Sequence, residues 1–289
     1  MSDAFPSLVS TRWLAEHVGD ERLVILDASK HLPGAKRDPE AEFKAGHISG
    51  ARFLALDTLI DAASSVPAAL PSADQVAERL SHLGVATGDR IVLYDDSAIK
   101  SSARAWFALT SFAIAEVAVL DGGIGKWRAE GRALDDCIPT TKPASLMTRN
   151  SLRRTRTKAE MIANLTSKAE QVLDARAADR VFGSGTDPVH GGQNGRIPGS
   201  FNLPYSALFA ENGTYLPKEQ MKALFESAGI DLTRPTITTC GSGMTASVLL
   251  FAMHLCGKND VLLYDGSWME WAADPETPKM QGPLERGLG

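Results

Sequence analysis

The 289-residue sequence has few cysteines, no long apolar run and no excess of positive charge. Its three cysteines, Cys137, Cys240 and Cys256, form no CxxC pair, which argues against a disulfide framework and against a zinc site. No stretch reaches the roughly 18 apolar residues that a membrane span needs. The formal net charge of -5 disfavours nucleic acid or an anionic membrane as a partner, because both attract basic surfaces.

The N-terminus, MSDAFPSL, also lacks the apolar segment of a secretory signal. The predicted location is therefore the reducing cytoplasm, where free thiols persist. The composition, with 44% hydrophobic and 22% charged residues, is that of an ordinary globular protein. The length suits two domains.

The chain contains an internal duplication. Three motifs recur in the same order at offsets of 147, 149 and 144 residues: LVILDAS with QVLDAR, GHISGARF with GRIPGSFN, and DGGIGKW with DGSWMEW. Apolar, β-branched runs alternate with helix patterns in each half and predict strands at 23–26, 91–94, 117–120, 171–173, 236–239 and 261–264. Runs without strict alternation suit strands buried on both faces, as in a parallel sheet.

We therefore predict an α/β protein of two tandem domains, each a mainly parallel sheet flanked by helices. The segment 134–152 is rich in Pro, Thr, Ser and Asn and has no periodicity, so we place the first domain at 1–140 and the second at 150–289. Ligands of open α/β sheets lie beyond the carboxyl ends of the strands. Those strand ends are where chemistry is expected.

Cys240 follows the strand 236–239 directly and precedes an apolar helix pattern. The intervening glycines permit a tight arc of inward-pointing backbone N–H groups, and the helix N-terminus adds its positive end. Such a loop favours a thiolate and, after uptake of sulfur, an anionic persulfide. The predicted persulfide loop comprises Gly241, Ser242, Gly243, Met244, Thr245 and Ala246.

Cysteines in such a sequence also have two other interpretations, as core residues and as phosphatase nucleophiles. Most unpaired cysteines are core residues, and this is the interpretation of Cys256, on the apolar helix, while Cys137 is interpreted as a linker residue without a role. Cysteine phosphatases use a similar loop with an arginine six positions after the nucleophile. That position is Ala246 here, so the guanidinium fork that binds phosphoryl oxygens is missing.

The motif CGSGMTAS resembles the CGSGVTA loop of 3-mercaptopyruvate sulfurtransferases, and the paired LDA, GHxxG and DGxxxxW motifs resemble those of tandem rhodaneses. The resemblance extends over roughly residues 11–272. It implies a structural first domain without the catalytic cysteine and a catalytic second domain. The strand end after 91–94 agrees, since Asp95-Asp96-Ser97 offers no thiol.

The resemblance also implies site residues. Asp174 and Arg176 match the family's DAR motif, whose aspartate helps to order the site, with a helix cap or a structural ion pair as the alternative for both. Arg180 matches the arginine that holds the substrate carboxylate. Ser242, His47 and Asp38 match a serine, histidine and aspartate that are proposed to polarise the substrate, the last two from the first domain.

One position departs from the family pattern. The second substrate arginine is replaced by Val189, and Arg196, in GRIPG, is either a substitute positive charge or a turn residue. The neutral pair Gly241-Ser242 after the cysteine resembles the mercaptopyruvate type, because thiosulfate-type rhodaneses tend to have basic residues there.

The implied function is transfer of sulfur from a small-molecule donor, favoured to be 3-mercaptopyruvate, through Cys240 to a thiol such as thioredoxin or to cyanide. No metal and no organic cofactor is implied. Two alternatives stay open. One is thiosulfate sulfurtransferase activity with the same persulfide. The other is a binding or sulfur-relay module that a partner protein supplies with sulfur.

Overall fold

A computed structural model describes residues 5–149, 154–190 and 192–282. These residues divide into two compact units. The first comprises 5–62, 70–149 and 209–215, and the second comprises 63–69, 154–208 and 216–282. Each unit thus includes a short segment from the opposite half of the sequence, which the duplication alone does not predict.

The first unit contains a parallel sheet of five strands within the described residues, in the order β1-β5-β4-β2-β3. The strands are β1 (Leu8–Val9), β2 (Leu23–Asp27), β3 (Arg52–Phe53), β4 (Arg90–Tyr94) and β5 (Val117–Leu120). The helices are α1 (Thr11–His17), α2 (Pro39–Ala45), α3 (Ala73–His82), α4 (Ser102–Ser111) and α5 (Gly123–Ala129), with 3-10 turns at Pro33–Ala35 and Leu56–Thr58.

The second unit repeats this plan, with the order β6-β10-β9-β7-β8 in its parallel sheet. The strands are β6 (Thr155–Arg156), β7 (Gln171–Asp174), β8 (Phe201–Asn202), β9 (Thr236–Thr239) and β10 (Val261–Tyr264). The helices are α6 (Lys158–Ser167), α7 (Ala178–Phe182), α8 (Lys218–Ser227), α9 (Ala246–Leu255) and α10 (Ser267–Ala273), with a 3-10 helix at Tyr205–Leu208. The predicted α/β architecture is confirmed.

Burial explains why the central strands are recognisable in the sequence. All residues of β5, β7 and β9 are buried, so these strands form continuous runs rather than alternating ones. Helix starts are specified locally as well. Ser72 and Thr157 accept hydrogen bonds from the backbone N–H groups of Gln75 and Glu160, whose side chains return the bond in two capping boxes.

The duplicated tryptophans have the same role in both cores. Trp127 and Trp271 are buried at 5% and 0% exposure, and their indole N–H groups donate to the carbonyls of Ala133 and Pro278. The apolar helix α9 is buried from Ala246 to Met253, as a core helix is. Within the described residues, no helix combines the length and apolar character that crossing a membrane requires.

Candidate active site

Cys240 lies at the carboxyl end of β9, directly before the loop that leads into α9. The residue is 1% exposed. Its carbonyl accepts a hydrogen bond from the Trp268 N–H at 2.9 Å, and the Gly241 carbonyl accepts one from Met269 at 3.0 Å. Gly243 has φ +77°, a conformation that glycine adopts without strain. The first turn of α10 therefore holds the backbone at the start of the loop.

Ser267, which no sequence motif indicated, contacts the backbone of Cys240. Its Oγ accepts a hydrogen bond from the Cys240 N–H at 3.3 Å and donates one to the Tyr264 carbonyl at 2.8 Å. The residue is fully buried and has φ +50°, which is unfavourable for a residue other than glycine. Gly123 follows β5 at the corresponding point of the first unit and has φ +56°.

Asp174 and Arg176 form a buried ion pair. Both side chains are 1% exposed and join at 2.6 Å, and Arg176 also donates to the Gly195 carbonyl at 2.7 Å. Its guanidinium lies 4.7 Å from the Trp268 ring centroid. Removing either charge would leave its buried partner uncompensated. These contacts favour the structural ion pair among the two predicted roles.

Arg180 reaches the loop itself. A Cβ added to Gly241 would come within 3.4 Å of Arg180 Nη2. The Nε and Nη2 atoms of Arg180 donate to the Asp187 carboxylate at 3.0 and 2.7 Å. Burial raises the pKa of Asp187, but the hydrogen bonds and charge of Arg180, together with the N–H groups of Val189 and His190, hold that pKa below its ordinary value.

His190 lies against the same glycine. A Cβ on residue 241 would overlap its imidazole, so the cysteine must be followed by glycine for the ring to approach. Asp187 holds the segment in place, because its Oδ1 accepts the N–H groups of Val189 at 2.8 Å and His190 at 3.3 Å. Burial lowers the pKa of His190, the Arg180 charge lowers it further, and Asp187 opposes both. The net lowering of the His190 pKa favours the neutral form of the ring.

Tyr205 completes the surroundings of the cysteine. Its N–H donates to the Ala175 carbonyl at 3.0 Å, and the Ala175 N–H donates to Thr239, the residue before Cys240, at 2.9 Å. Burial raises the pKa of Tyr205, the charge of Arg180 lowers it, and the electrostatic interaction with Cys240 raises it. The phenol thus lies within electrostatic reach of both the predicted nucleophile and the predicted substrate anchor.

The other predicted residues have structural contacts. Asp38 is the N-cap of α2 and accepts the N–H groups of Glu40 and Ala41 at 3.0 and 3.1 Å. His47, past the other end of that helix, is fully buried, stacks on Phe43 at 4.1 Å and bonds its carbonyl at 2.9 Å. The structure does not join the two as an acid–base pair, and neither enters the proposed mechanism.

Arg196 is also fully buried. Its Nη1 donates to the Gly282 carbonyl, and its guanidinium lies 5.0 Å from the Phe182 ring centroid. Neither contact directs the charge toward a ligand, so we do not include Arg196 in the substrate site. Ser242, by contrast, is half-buried on the loop two residues after Cys240.

The corresponding loop of the first unit contains a carboxylate in place of the thiol. The Ala28 N–H donates to Tyr94 at 2.8 Å, as Ala175 does to Thr239, so Asp95 corresponds to Cys240. Asp95 is 6% exposed, and its carboxylate accepts the N–H groups of Ser97 and Ser102, each at 2.9 Å. The loop geometry therefore binds an anion through backbone N–H groups.

The rhodanese-like domain family matches residues 10–130 and 157–274. The chain belongs to the rhodanese family. Two curated rhodanese relatives are the 3-mercaptopyruvate sulfurtransferase of Rattus norvegicus, 36% identical over 286 residues and 96% of each chain, and the thiosulfate sulfurtransferase of Bos taurus, 36% identical over 287 residues and 96% of each chain. The crystal structure of SseA from Escherichia coli, a 3-mercaptopyruvate sulfotransferase, superposes with a TM-score of 0.82 at 30% identity, covering 91% of this chain and 98% of that one.

Outside the rhodanese loop, the described residues contain one cluster with metal-ligating side chains, Asp135, Asp136 and Cys137, whose ligand atoms lie within 4.8 Å of one another. Asp136 and Cys137 are exposed, and Asp135 already accepts the Cys137 N–H at 2.9 Å. The charges of Asp135 and Asp136 raise the pKa of Cys137. We assign this cluster no function.

Proposed function

We propose that this rhodanese transfers the thiol sulfur of 3-mercaptopyruvate to a thiol acceptor through a persulfide on Cys240. The observation that carries the proposal is the pair of corresponding loops. In the first unit the loop N–H groups bind the Asp95 carboxylate. In the second unit a cysteine stands at the same position, so the same kind of loop would stabilise a thiolate and then a persulfide anion.

The charges around Cys240 favour a donor with a single negative charge. Asp174, Arg176, Asp187 and Arg180 form a chain of alternating charges, with contacts of 2.6, 3.9 and 2.7 Å. Two carboxylates cancel two guanidinium groups, so the cluster offers no net charge to a dianion such as thiosulfate. The monoanion of a 2-oxo acid needs only the edge of Arg180 that Asp187 does not occupy.

The reaction has two steps. The Cys240 thiolate attacks the sulfur of 3-mercaptopyruvate, the carbon–sulfur bond breaks, and the proton of the donor thiol moves to that carbon, which gives pyruvate and an anionic Cys240 persulfide. An acceptor thiol then attacks the outer sulfur, and Cys240 leaves as the thiolate. Arg180 holds the donor carboxylate in this scheme, and Ser242 bonds the donor from the loop.

The acceptor and the compartment belong to the same proposal. A small protein thiol such as thioredoxin is the acceptor that we propose, with cyanide as an assay substitute. The three cysteines are free thiols, which supports a reducing compartment, and we propose the cytoplasm. Cell fractionation with an antibody against the chain would test this location.

The decisive experiment compares the two donors. We expect kcat/KM for 3-mercaptopyruvate to exceed that for thiosulfate, and Arg180→Gln to raise KM for 3-mercaptopyruvate about 10- to 100-fold through loss of a charge-assisted hydrogen bond. Equal or better use of thiosulfate would overturn the donor assignment. Failure of both donors, with efficient persulfidation by a partner protein, would instead show the relay module, an alternative that the Val189 position favours.

A further inference from the structure

Breaking the carbon–sulfur bond of the proposed donor requires a proton to move from the donor sulfur to the donor carbon. The thiol proton must leave sulfur, and the carbon that keeps the bonding electron pair must gain a proton before pyruvate departs as its methyl form. Transfer from thiosulfate needs no such step, because the thiolate takes the outer sulfur and sulfite leaves with the electron pair. A residue that moves protons is therefore needed for one donor class and not for the other.

Few side chains beside the loop suit this task. Arg180 does not give up its proton at physiological pH, and its Nε and Nη2 bind Asp187. Burial raises the pKa of the Tyr205 phenol, so it donates a hydrogen bond but does not accept a proton. A neutral imidazole, by contrast, accepts a proton at one nitrogen and returns it.

Contacts of its ring and of its backbone fix the position of His190. Its ring packs directly on Gly241, at a point where a Cβ would overlap it. Its backbone is bound to Asp187, the same buried carboxylate that positions Arg180. One carboxylate thus holds both the proposed substrate anchor and the imidazole at the loop that begins with Cys240.

We propose that His190 is the acid–base residue of the mercaptopyruvate half-reaction. It takes the proton from the donor thiol as Cys240 attacks the sulfur, and it returns the proton to the carbon as the carbon–sulfur bond breaks. Charge balances, because thiolate and donor carboxylate become persulfide anion and pyruvate carboxylate. This inference rests on the proposed function.

The test is a single-turnover measurement on the full chain. Wild type and His190→Gln are mixed with excess 3-mercaptopyruvate without an acceptor, and pyruvate release is followed. We expect His190→Gln to slow this burst about 100-fold, the usual effect of a lost acid–base group. Alkylation of Cys240 by iodoacetamide, and loading by thiosulfate, should stay within about threefold because neither needs the shuttle.

His254→Gln is the matched control. His254 lies in the last turn of α9, bonds Asn259 at 2.6 Å, and burial lowers its pKa as it does that of His190. This variant should release pyruvate at the wild-type rate. Added imidazole should restore part of the burst to His190→Ala.

The outcomes separate the two proposals. A wild-type protein that releases no pyruvate burst would remove the proposed function, and this inference with it. A normal wild-type burst that His190→Gln leaves unchanged would overturn the role of His190 alone. A parallel fall in pyruvate release and in Cys240 alkylation would also overturn it, because it would show that His190 only maintains the loop.

Discussion

The loops after β4 and β9 begin at corresponding positions, with Asp95 in the first unit and Cys240 in the second. The Asp95 carboxylate accepts hydrogen bonds from the backbone N–H groups of Ser97 and Ser102, each at 2.9 Å. These N–H groups therefore have an acceptor that the loop itself provides. Cys240 occupies the corresponding position in the second loop, with its backbone N–H bound to Ser267. The first loop thus contains a carboxylate that accepts two backbone N–H groups, whereas the second offers a thiol at the corresponding position.

The aspartates that end β2 and β7 show a second difference between the units. Asp174 has a guanidinium partner in Arg176 at 2.6 Å. Asp27 has Ser29 two residues later, whose N–H donates at 2.8 Å, and burial raises the pKa of Asp27 to about 6. The second unit therefore compensates its buried charge with an opposite charge, whereas the first unit retains a carboxylate that is costly to ionise.

The largest effect is expected when the second loop is made to imitate the first. Cys240→Asp should place a carboxylate in the loop and reduce sulfur transfer by more than about 1,000-fold, as removal of a nucleophile does, while the protein stays folded. Assays with both donors, together with circular dichroism, measure this. Retention of activity would show that the persulfide forms on another residue.

Asp174→Asn should be strongly destabilising. The substitution leaves the buried Arg176 without the carboxylate that it contacts through Nε and Nη2, and loss of one partner of a buried pair costs about 3 to 5 kcal/mol. Urea unfolding at pH 7 measures the free energy of unfolding. A loss below about 1 kcal/mol would mean that the pair contributes no more than an exposed ion pair.

Asp27→Asn should instead increase the free energy of unfolding at neutral pH. The folded pKa of about 6 lies above the value of about 3.9 for an exposed aspartate, so the folded chain holds this proton more tightly. The stability contribution of Asp27 is highest at low pH and is lost as the pH rises through about 6. The amide should therefore stabilise by about 2 to 3 kcal/mol at pH 7 and by nothing near pH 4. Destabilisation at pH 7 would contradict this account.

Ser267→Gly should have the smallest effect. Glycine removes the strain of φ +50° and also removes the hydroxyl that bonds the Cys240 N–H. Loss of one hydrogen bond of about 1 kcal/mol should slow transfer about fivefold, whereas the melting temperature should not fall because the relieved strain offsets it. An unchanged rate would show that this bond does not position the nucleophile.

The central strands were predictable, but the edge strands were not. The predicted strands 117–120, 236–239 and 261–264 match β5, β9 and β10 residue for residue, because strands buried in a parallel sheet favour short continuous runs of apolar or β-branched residues. The edge strands β1, β3, β6 and β8 have two residues each. Such short strands depend on register with a neighbour and leave no periodicity in the sequence.

The site was predictable where motif and strand end coincide, as at Cys240 and its loop. His190 and Asp187 lie in the glycine-rich segment between α7 and β8, where no periodicity fixes the backbone. The one signal for His190 was the adjacent departure at Val189. Ser267 was missed because its importance lies in a backbone angle, which the motif DGSW does not reveal.

The central claim is that sulfur is carried on Cys240. Mass spectrometry of the intact protein after brief exposure to 3-mercaptopyruvate tests it directly, with Cys240→Ser as the control. We predict a gain of one sulfur, about 32 Da, in the wild-type protein and no gain in the control. An equal gain in both proteins, or no gain with either 3-mercaptopyruvate or thiosulfate, would contradict the account.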